Sequence, residues 1–496
     1  MRFTIAGDER PVGERAFISG ADGRIHPTRI DLENGCLACK RSVSESGKLH
    51  LSWPVAGFGR PFSSTTSLPE RDEPYLLPLE LARGKISRLR DQASVWELAG
   101  MRAPREFHDA EKAAYRLFSR AAACQCRPEE ASRLAQEALA QAYQAAEALI
   151  RTYAEQRLSA RRRRSPTLPA LLGCELDPQA VEGPLGEKFL EAFTAGIVPV
   201  RWRDIEPVEG EYRWDALDAQ VEWGLSNRLV LSGGPLLDFS ADGLPAWLAR
   251  WSHDFYNMQS FLCDFVETAV ARYVGRIRYW VVAAGGNTGG GLGLTEENRL
   301  ALVAKTLEAA RQVDDENQLV IRVAQPGGEY LGRGRHRLSP LQFVDALLRS
   351  GVGLSGVELE IAVGCLPNGS ACRDPVDFSQ LIDHWSLLGV PMHVILAFPS
   401  ATGPDLHGDP ELRVEDDCWK EPWSESAQAN WIDQYLPLLM AKQSVTGIFW
   451  SHFSDASPHE FPHSGLVDAA GNPKAALERF AHYRQAYWVE ERQSSV

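Results

Sequence analysis

The chain of 496 residues contains no run of 18 apolar residues, the length that a membrane-crossing helix needs, so no membrane span and no membrane partner are expected. Positive charge is in deficit: 52 Lys+Arg against 66 Asp+Glu give a formal net charge of −14. That balance argues against a broad basic footprint for nucleic acid. The basic run Arg161 to Arg164 stops at Ser165-Pro166 and reads as a solvated linker. Cysteine is sparse and odd in number, nine residues spread over the whole chain, which offers no disulfide framework and suggests reduced thiols in a cytoplasm. Cys36-Leu37-Ala38-Cys39 has the spacing of half a zinc site. In a strand, however, positions 36 and 39 point to opposite faces, and Cys124 and Cys126 would have to complete the set from a helical region. The opening residues, Met1 to Arg10, meet Asp8 and Glu9 before any long apolar run, and no secretory leader is expected.

What is present is ordinary globular composition, 44% hydrophobic and 24% charged, long enough for two or three domains. Residues 1–85 alternate short β-like runs (Arg2–Ala6, Arg15–Ile18, Thr28–Leu32, Cys36–Lys40, Leu49–Trp53) with turns at 20–23, Asn34-Gly35 and Ser46-Gly47. This spacing predicts a small antiparallel sandwich or sheet. Residues 86–165 predict a helical hairpin, one helix over about Asp109 to Cys124 and a longer one opened by Pro128-Glu129-Glu130. In the longer helix, Ala135, Leu139, Ala142, Ala146, Leu149 and Tyr153 recur at spacings of three and four.

From 166 to 490 the pattern is strand then helix, repeated. Eight apolar strands are predicted: Leu171–Leu176, Val198–Trp202, Leu229–Gly233, Ile277–Val282, Leu319–Val323, Gly356–Ile361, Met392–Ala397 and Val445–Trp450. Continuous apolar strands with intervening amphipathic helices mean a parallel sheet buried on both faces, and eight such units fit an α/β fold of the (β/α)8 TIM barrel type. A doubly wound open sheet would want a glycine-rich turn after its first strand, and Cys174 to Pro178 is not one.

Three stretches carry a family resemblance. Phe193 to Pro207 continues through Glu209-Gly210-Glu211-Tyr212-Arg213-Trp214; Val270 to Val282 includes Arg276-Ile277-Arg278-Tyr279-Trp280; Val445 to Trp450 is followed by Gly465 to Lys474. In order and spacing these resemble glycoside hydrolase family 10, the xylanase-type barrels, over about residues 168–488. The resemblance implies a cleft at the C-terminal strand ends that grips a β-linked sugar chain. It also implies two glutamates flanking the scissile bond, about 5–5.5 Å apart. The family's acid/base glutamate ends strand 4, where this chain has Ala284; its nucleophile ends strand 7, where this chain has Leu396. Of the sugar-gripping positions, Ile197, Val198, Gly234, Asp238 and Ala362 replace the family's residues, and only Arg201 and Trp450 keep the expected character. Alanine and leucine cannot exchange protons or attack an anomeric carbon, so the family's retaining mechanism is excluded at these two positions.

Strand 6 supplies other acids. With a period of two, Glu358, Glu360 and Ala362 share a face, which the resemblance turns inward. The candidate catalytic residues are therefore Glu360, Glu358 and, after strand 3, Asp238, with Arg201 and Arg322 as candidate ion-pair partners. An ion-pair network filling a barrel layer competes with a ligand-facing role for the two glutamates. Candidate substrate-binding residues are Arg201, Trp450, Asn287 in the glycine-dense loop 285–291, His452 and Asp455 after strand 8, and Trp419 and Trp423 in the long loop 398–424. His452, Asp455, His459, Glu460 and His463 invite a metal reading, but Pro458 and Pro462 break any helix-based histidine motif. No metal and no cofactor are expected. Three functional readings compete: a glycoside hydrolase using Glu360 with a second carboxylate; an inactive saccharide-binding or scaffold protein; and an assembly unit self-associating through residues 1–165.

Overall fold

The computed structural model describes residues 1–5, 12–33, 35–334 and 336–490. Ala6 and Asn34, within an expected strand and turn, lie outside the described residues. The N-terminal strands are β1 (Arg2–Thr4), β2 (Val12–Gly20), β3 (Ile25–His26), β4 (Arg29–Glu33), β5 (Cys36–Lys40), β6 (Gly47–Ser52), β7 (Phe62–Ser64) and β8 (Tyr75–Leu76). They form two four-stranded sheets, β4-β5-β1-β8 and β3-β2-β6-β7, antiparallel except where β8 pairs with β1. Phe3, Ile18, Leu37, Leu49, Leu51 and Trp53 form the core between them. Cys39 lies in that core, where burial pushes its thiol up to about 12, so it is no thiolate ligand.

The helical segment is larger than the expected hairpin. Three helices occupy it: α1 (Leu77–Leu98), α2 (Arg105–Ala123) and α3 (Pro128–Arg162). α1 begins with Pro78 in its first turn and buries Leu81, Ala82, Lys85, Ile86, Leu89, Ala93 and Trp96 at helical spacing. The alanine seam of α3 lets the helices approach closely; Ile86, Ala114 and Ala142 meet where all three touch. The upper part of α3 belongs to the N-terminal core through Leu134, Leu139 and Tyr143. Its lower part, Leu149 to Leu158, belongs to the barrel core.

The barrel strands are β9 (Leu171–Glu175), β10 (Ala195–Val198), β11 (Val230–Gly233) with its continuation β12 (Leu237–Asp238), β13 (Tyr279–Ala284), β14 (Gln318–Ala324), β15 (Gly356–Ala362), β17 (Met392–Ala397) and β19 (Val445–Trp450). Between them β16 (Cys365–Leu366) and β18 (Arg413–Val414) pair in the loops. All barrel pairings are parallel, and β19 returns to β9 with Gly447 opposite Leu171, closing an eight-stave ring. The second stave lies three residues earlier than expected, because 202–205 turn into a short helix. Ala195, Ile197, Ile395 and Phe449 fill the interior, while Ile361, Leu396 and Trp450 join the core between ring and helices. Among the described residues no helix is long and apolar enough to cross a membrane.

The N-terminal module grips loops at the C-terminal end of the ring. Thr28 N–H donates to the Gly332 carbonyl (3.2 Å), Phe62 N–H to Cys372 (2.7 Å) and Arg60 N–H to Asp417 (2.9 Å). Buried Arg15 pairs with Glu415 (2.8 Å) and donates to the carbonyls of Cys365 and Ser370. Gly59, at φ +68°, lies against the Trp419 carbonyl, where a Cβ would collide. The loops following β14, β15 and β17 are thus braced from outside the barrel.

Candidate functional site

The register of β15 decides which acids face inward. Glu358 lies opposite Arg322 of β14 and His393 of β17; Glu360 lies opposite Ala324 and Ile395. Glu358 is fully buried, with Oε1 2.7 Å from Arg322 Nε and Oε2 4.0 Å from His393 Nδ1. Burial pushes the His393 imidazole down against the pull of Glu358, and the ring packs edge-on to Tyr279. Burial also works against the Arg322 charge, but Glu358, Glu360 and Glu175 more than offset it and hold the guanidinium protonated. Glu358 is therefore the anionic half of an internal ion pair, out of reach of a substrate, and its assignment as a catalytic residue is corrected.

Glu360, one layer higher, is half-buried at the mouth. Burial raises its carboxyl to about 7; Arg322 opposes the rise, and Asp238 and Glu358 add to it. Asp238, on β12, accepts a hydrogen bond from Ser240 N–H (2.9 Å). Glu460, from the loop after β19, is exposed. Desolvation of its carboxyl, with Glu360 and Asp238 adding to it and Arg322 opposing, shifts it upward. On the far wall Glu175, at the tip of β9, pairs with Arg201 (3.0 Å), burial raising its carboxyl and Arg201 and Arg322 opposing. The structure thus sets Asp238 and Glu360 at the mouth, ties Arg201 to Glu175 on the far wall, and adds Glu460 from the loop after β19. Glu175 ends an apolar run whose direction the sequence does not show, and Glu460 sits in an aperiodic loop.

The tips of β13 and β17 carry no acid. Ala284 lies opposite Asp238 and is buried. Leu396 does not face the lumen: it packs outward into the helix-facing core, and its inward neighbours are Ile395 and Ala397. The expected register is off by one residue there, and both registers present only apolar side chains. Ala362, Cys365, Ala397, Leu412 and Phe461 form an apolar patch over this part of the mouth.

Several expected contacts are packing elements instead. Trp450 is fully buried beside Trp431 and Phe480, its Nε1 donating to the Ser464 carbonyl (2.6 Å); it points away from the lumen. Trp419 packs against Phe398 and Tyr435, and Trp423 against Phe398 with its Nε1 on the Glu415 carbonyl (3.0 Å), so both anchor the long loop. Asn287 exchanges hydrogen bonds with the backbone of Ala324 (2.8 and 3.3 Å), and Arg299 fills the glycine loop by donating to the Gly286 carbonyl (2.9 Å). That loop is stitched to β14 rather than left open to cradle an anion.

His452 and Asp455 belong to a buried latch. Asp455 accepts from Lys474 Nζ (2.5 Å) and Gly465 N–H (2.7 Å) and contacts His452 Nε2 (3.3 Å). Burial pushes His452 down to about 4, despite Asp455. His459 stacks on His452 at 4.2 Å and reaches Asp405 (3.0 Å) in the preceding loop. Potential ligand atoms of His452, Asp455 and His459 lie within 4.8 Å of one another. Their imidazole planes are nearly parallel, 9° apart, so the in-plane lone pairs do not converge on one point, and the Lys474 ammonium already neutralises Asp455. The arrangement fits a hydrogen-bonded loop latch and not an ion.

The model of Glycosyl hydrolase family 10 matches residues 188–323, which takes in the Ala284 position and ends before Glu358 and Glu360. Endo-1,4-beta-xylanase B of Thermotoga neapolitana is 29% identical over 85 residues, 17% of this chain and only 23% of that relative's length. Xylanase 10B from Thermotoga maritima superposes with a TM-score of 0.48 at 16% identity, over 65% of this chain and 96% of that one. A family 10 structure from Paenibacillus barcinonensis gives 0.48 at 16%, over 68% and 98%. A mutant of the intracellular xylanase of Thermoanaerobacterium saccharolyticum, solved with xylotriose, gives 0.47 at 18%, over 64% and 96%. The ring of eight parallel staves is a (β/α)8 barrel preceded by a β-rich module, and its segment 188–323 is similar to Glycosyl hydrolase family 10.

Proposed function

We propose that the mouth of the barrel is a glycoside-binding site in which Glu360 is the proton donor and Asp238 the second carboxylate, in place of the family's paired glutamates. The observation that carries this reading is that Asp238, last residue of β12, and Glu360, half-buried near the tip of β15, both stand at the strand ends around the mouth, where Asp238 adds to the upward push on the Glu360 carboxyl. Glu358 is paired with Arg322 as a structural acid is, whereas neither Asp238 nor Glu360 has a basic side chain at ion-pair distance among the described residues. A carboxyl with its pKa near 7 keeps a proton at neutral pH and can pass it to a glycosidic oxygen as the bond breaks. Asp238 sits nearer β13 and can act on the opposite side, as a base toward water or as a nucleophile. Residues 166–490 are the ligand-handling unit in this reading, and residues 1–165 brace its mouth loops. Nine free thiols support a reducing compartment.

A second reading, a saccharide-binding or scaffold protein without turnover, is favoured by the apolar patch of Leu412 and Phe461 over the strand tips. Hydrolysis of a panel of nitrophenyl glycosides and β-linked oligosaccharides, alongside a glycan array, separates the two with wild type and Glu360→Gln. Turnover lost in the variant while binding persists supports the hydrolase. Binding without turnover in wild type selects the second reading.

A further inference from the structure

We infer that the chain carries a second ligand site, for a sugar phosphate, at the end of the barrel opposite the mouth. There the last turns of α3 meet the helix Ala475–Trp488. Leu168 N–H donates to the Tyr487 carbonyl (2.9 Å) and Trp488 Nε1 to the Ala170 carbonyl (2.6 Å), directly before β9. Arg161 Nη1 donates to the carbonyls of Met440 (2.6 Å) and Lys442 (3.0 Å), ahead of β19. These anchors precede their strands, so the junction lies at the N-terminal end of the ring. A cavity of about 430 Å³ opens at the junction, lined by Glu155, Ser159, Arg162, Arg163 and Tyr487. That is the size of a small-molecule site. Spacings of four and three put Glu155, Ser159 and Arg162 on one face of α3, with Arg163 beside them at the helix end. The basic run expected to be a solvated linker therefore closes α3 and lines a cavity.

The positive charge of this wall is uncompensated. Earlier on α3, Arg133 is spent on Glu137 (2.5 Å) and Arg151 on Glu106 (2.7 Å). Arg162 instead lies 5.4 Å over the Tyr487 ring, and Arg163 Nη2 donates to Ser159 Oγ (3.4 Å). Among the described residues neither forms an ion pair. Both are oriented by neutral groups, which leaves their charge available to a ligand. Arg484, one turn before Tyr487 in its helix, has a buried Nε without an acceptor. Planar guanidinium forks match phosphate oxygens two at a time. The cavity also has an acceptor side. Glu155 forms no ion pair among the described residues, and its carboxylate accepts hydrogen bonds from hydroxyl groups while repelling a bare phosphate. The ligand therefore presents an anion to the arginines and hydroxyl donors to Glu155, and a sugar phosphate has both. Inorganic phosphate leaves Glu155 without a donor, and a neutral sugar leaves the arginines without an anion. The Tyr487 ring already carries Arg162 on its face and Tyr483 nearly parallel at 6.4 Å, which makes it a poor platform for a nucleobase.

The test is calorimetric titration of the full chain, at neutral pH and constant ionic strength, with glucose 1-phosphate, glucose 6-phosphate, glucose, AMP and inorganic phosphate. A sugar phosphate is expected to bind one to one and about tenfold or more tightly than glucose or inorganic phosphate. Added salt weakens it. Arg162→Gln combined with Arg163→Gln lowers that affinity about tenfold, and Arg163→Gln alone about threefold. The single change serves should the double variant fail to fold by circular dichroism. Glu155→Gln removes the advantage over inorganic phosphate without weakening inorganic phosphate itself. Inorganic phosphate binding as tightly as both sugar phosphates overturns the sugar class, and AMP binding more tightly than either overturns it in favour of a nucleotide. Sugar phosphate binding that survives the arginine changes overturns the location. No phosphate-dependent binding overturns the site. None of these outcomes bears on the glycoside reading, which is tested at the other end of the barrel.

Discussion

Replacing Arg322 with methionine tests the division of the two β15 glutamates into a structural and a functional one. Glu358 has no exposed surface, its Oε1 rests on Arg322 at 2.7 Å and its Oε2 has no hydrogen-bond partner. His393, 4.0 Å away, is held neutral by burial and cannot take over the charge. Arg322→Met thus strands a carboxylate inside the ring, a change worth about 3–5 kcal/mol of destabilisation. The buried acid escapes part of that cost by taking up a proton. Proton uptake is easier at acid pH, so the loss is largest at neutral and alkaline pH and smaller near pH 5. Replacing both partners, Arg322→Met with Glu358→Met, leaves an apolar layer and costs about 1 kcal/mol or less, because the desolvation of two charges disappears with their attraction. Urea unfolding of the wild type, both single variants and the double variant, compared by midpoint at constant m-value, gives the coupling directly. A single-variant cost under about 1 kcal/mol, or a double variant as unstable as Arg322→Met, would refute the assignment of Glu358 to the framework.

Other consequences are as direct. Asp238→Asn removes a charge that pushes Glu360 upward, so the Glu360 carboxyl should titrate below its present value of about 7, read by carbon-13 NMR or by the acid limb of any pH–rate profile. His50, half-buried between Phe17 and Phe62, is held down to about 3 by desolvation and then by Arg88 and Arg373. The folded state refuses a proton that the unfolded state accepts at 6.5. The stability this contributes is complete above that pH and is lost, by as much as about 4 kcal/mol, as pH falls toward 3; His50→Phe should flatten that part of the stability profile. Trp450→Ala should cost about 3–5 kcal/mol by leaving a cavity beside Trp431 and Phe480, without changing saccharide affinity in protein that remains folded. Arg15→Ala removes the buried ion pair to Glu415 and the donors to two carbonyls, and should make the loop between β17 and the next helix (Glu425–Ala441) more readily cleaved by protease than in the wild type.

How far each element could be read depended on whether its signal was periodic. Eight apolar runs with helices between them announce the ring, because burial on both faces requires unbroken apolar strands. The same continuity conceals direction. Alternation normally shows which side chains face in, and the upper halves of β17 (Val394 to Ala397) and β19 (Ile448 to Trp450) are apolar without a break, so the outward direction of Leu396 and Trp450 has no local signal. The pairings themselves shift within β13 and between β17 and β19, which no local pattern records. α1 was masked for a related reason: its opening, Leu76-Leu77-Pro78-Leu79, looks like a strand end followed by a breaker, although proline is well suited to a first helical turn. The brace from Arg15 to Glu415 joins residues 400 positions apart and leaves no local trace.

β15 was legible because it mixes polar and apolar residues, and the sequence placed both glutamates on one face. Period alone could not separate their roles, since that depends on depth. Two residues along a strand advance about 6.5 Å, and over that distance the surroundings change from a closed layer with an arginine in register to a half-buried position opposite Ala324 and Ile395 with no ion pair of its own among the described residues. At the lower position the carboxylate survives only as half of a pair. At the upper one burial is eased by taking up a proton, and the distinction follows from solvent access and available countercharge rather than from residue type.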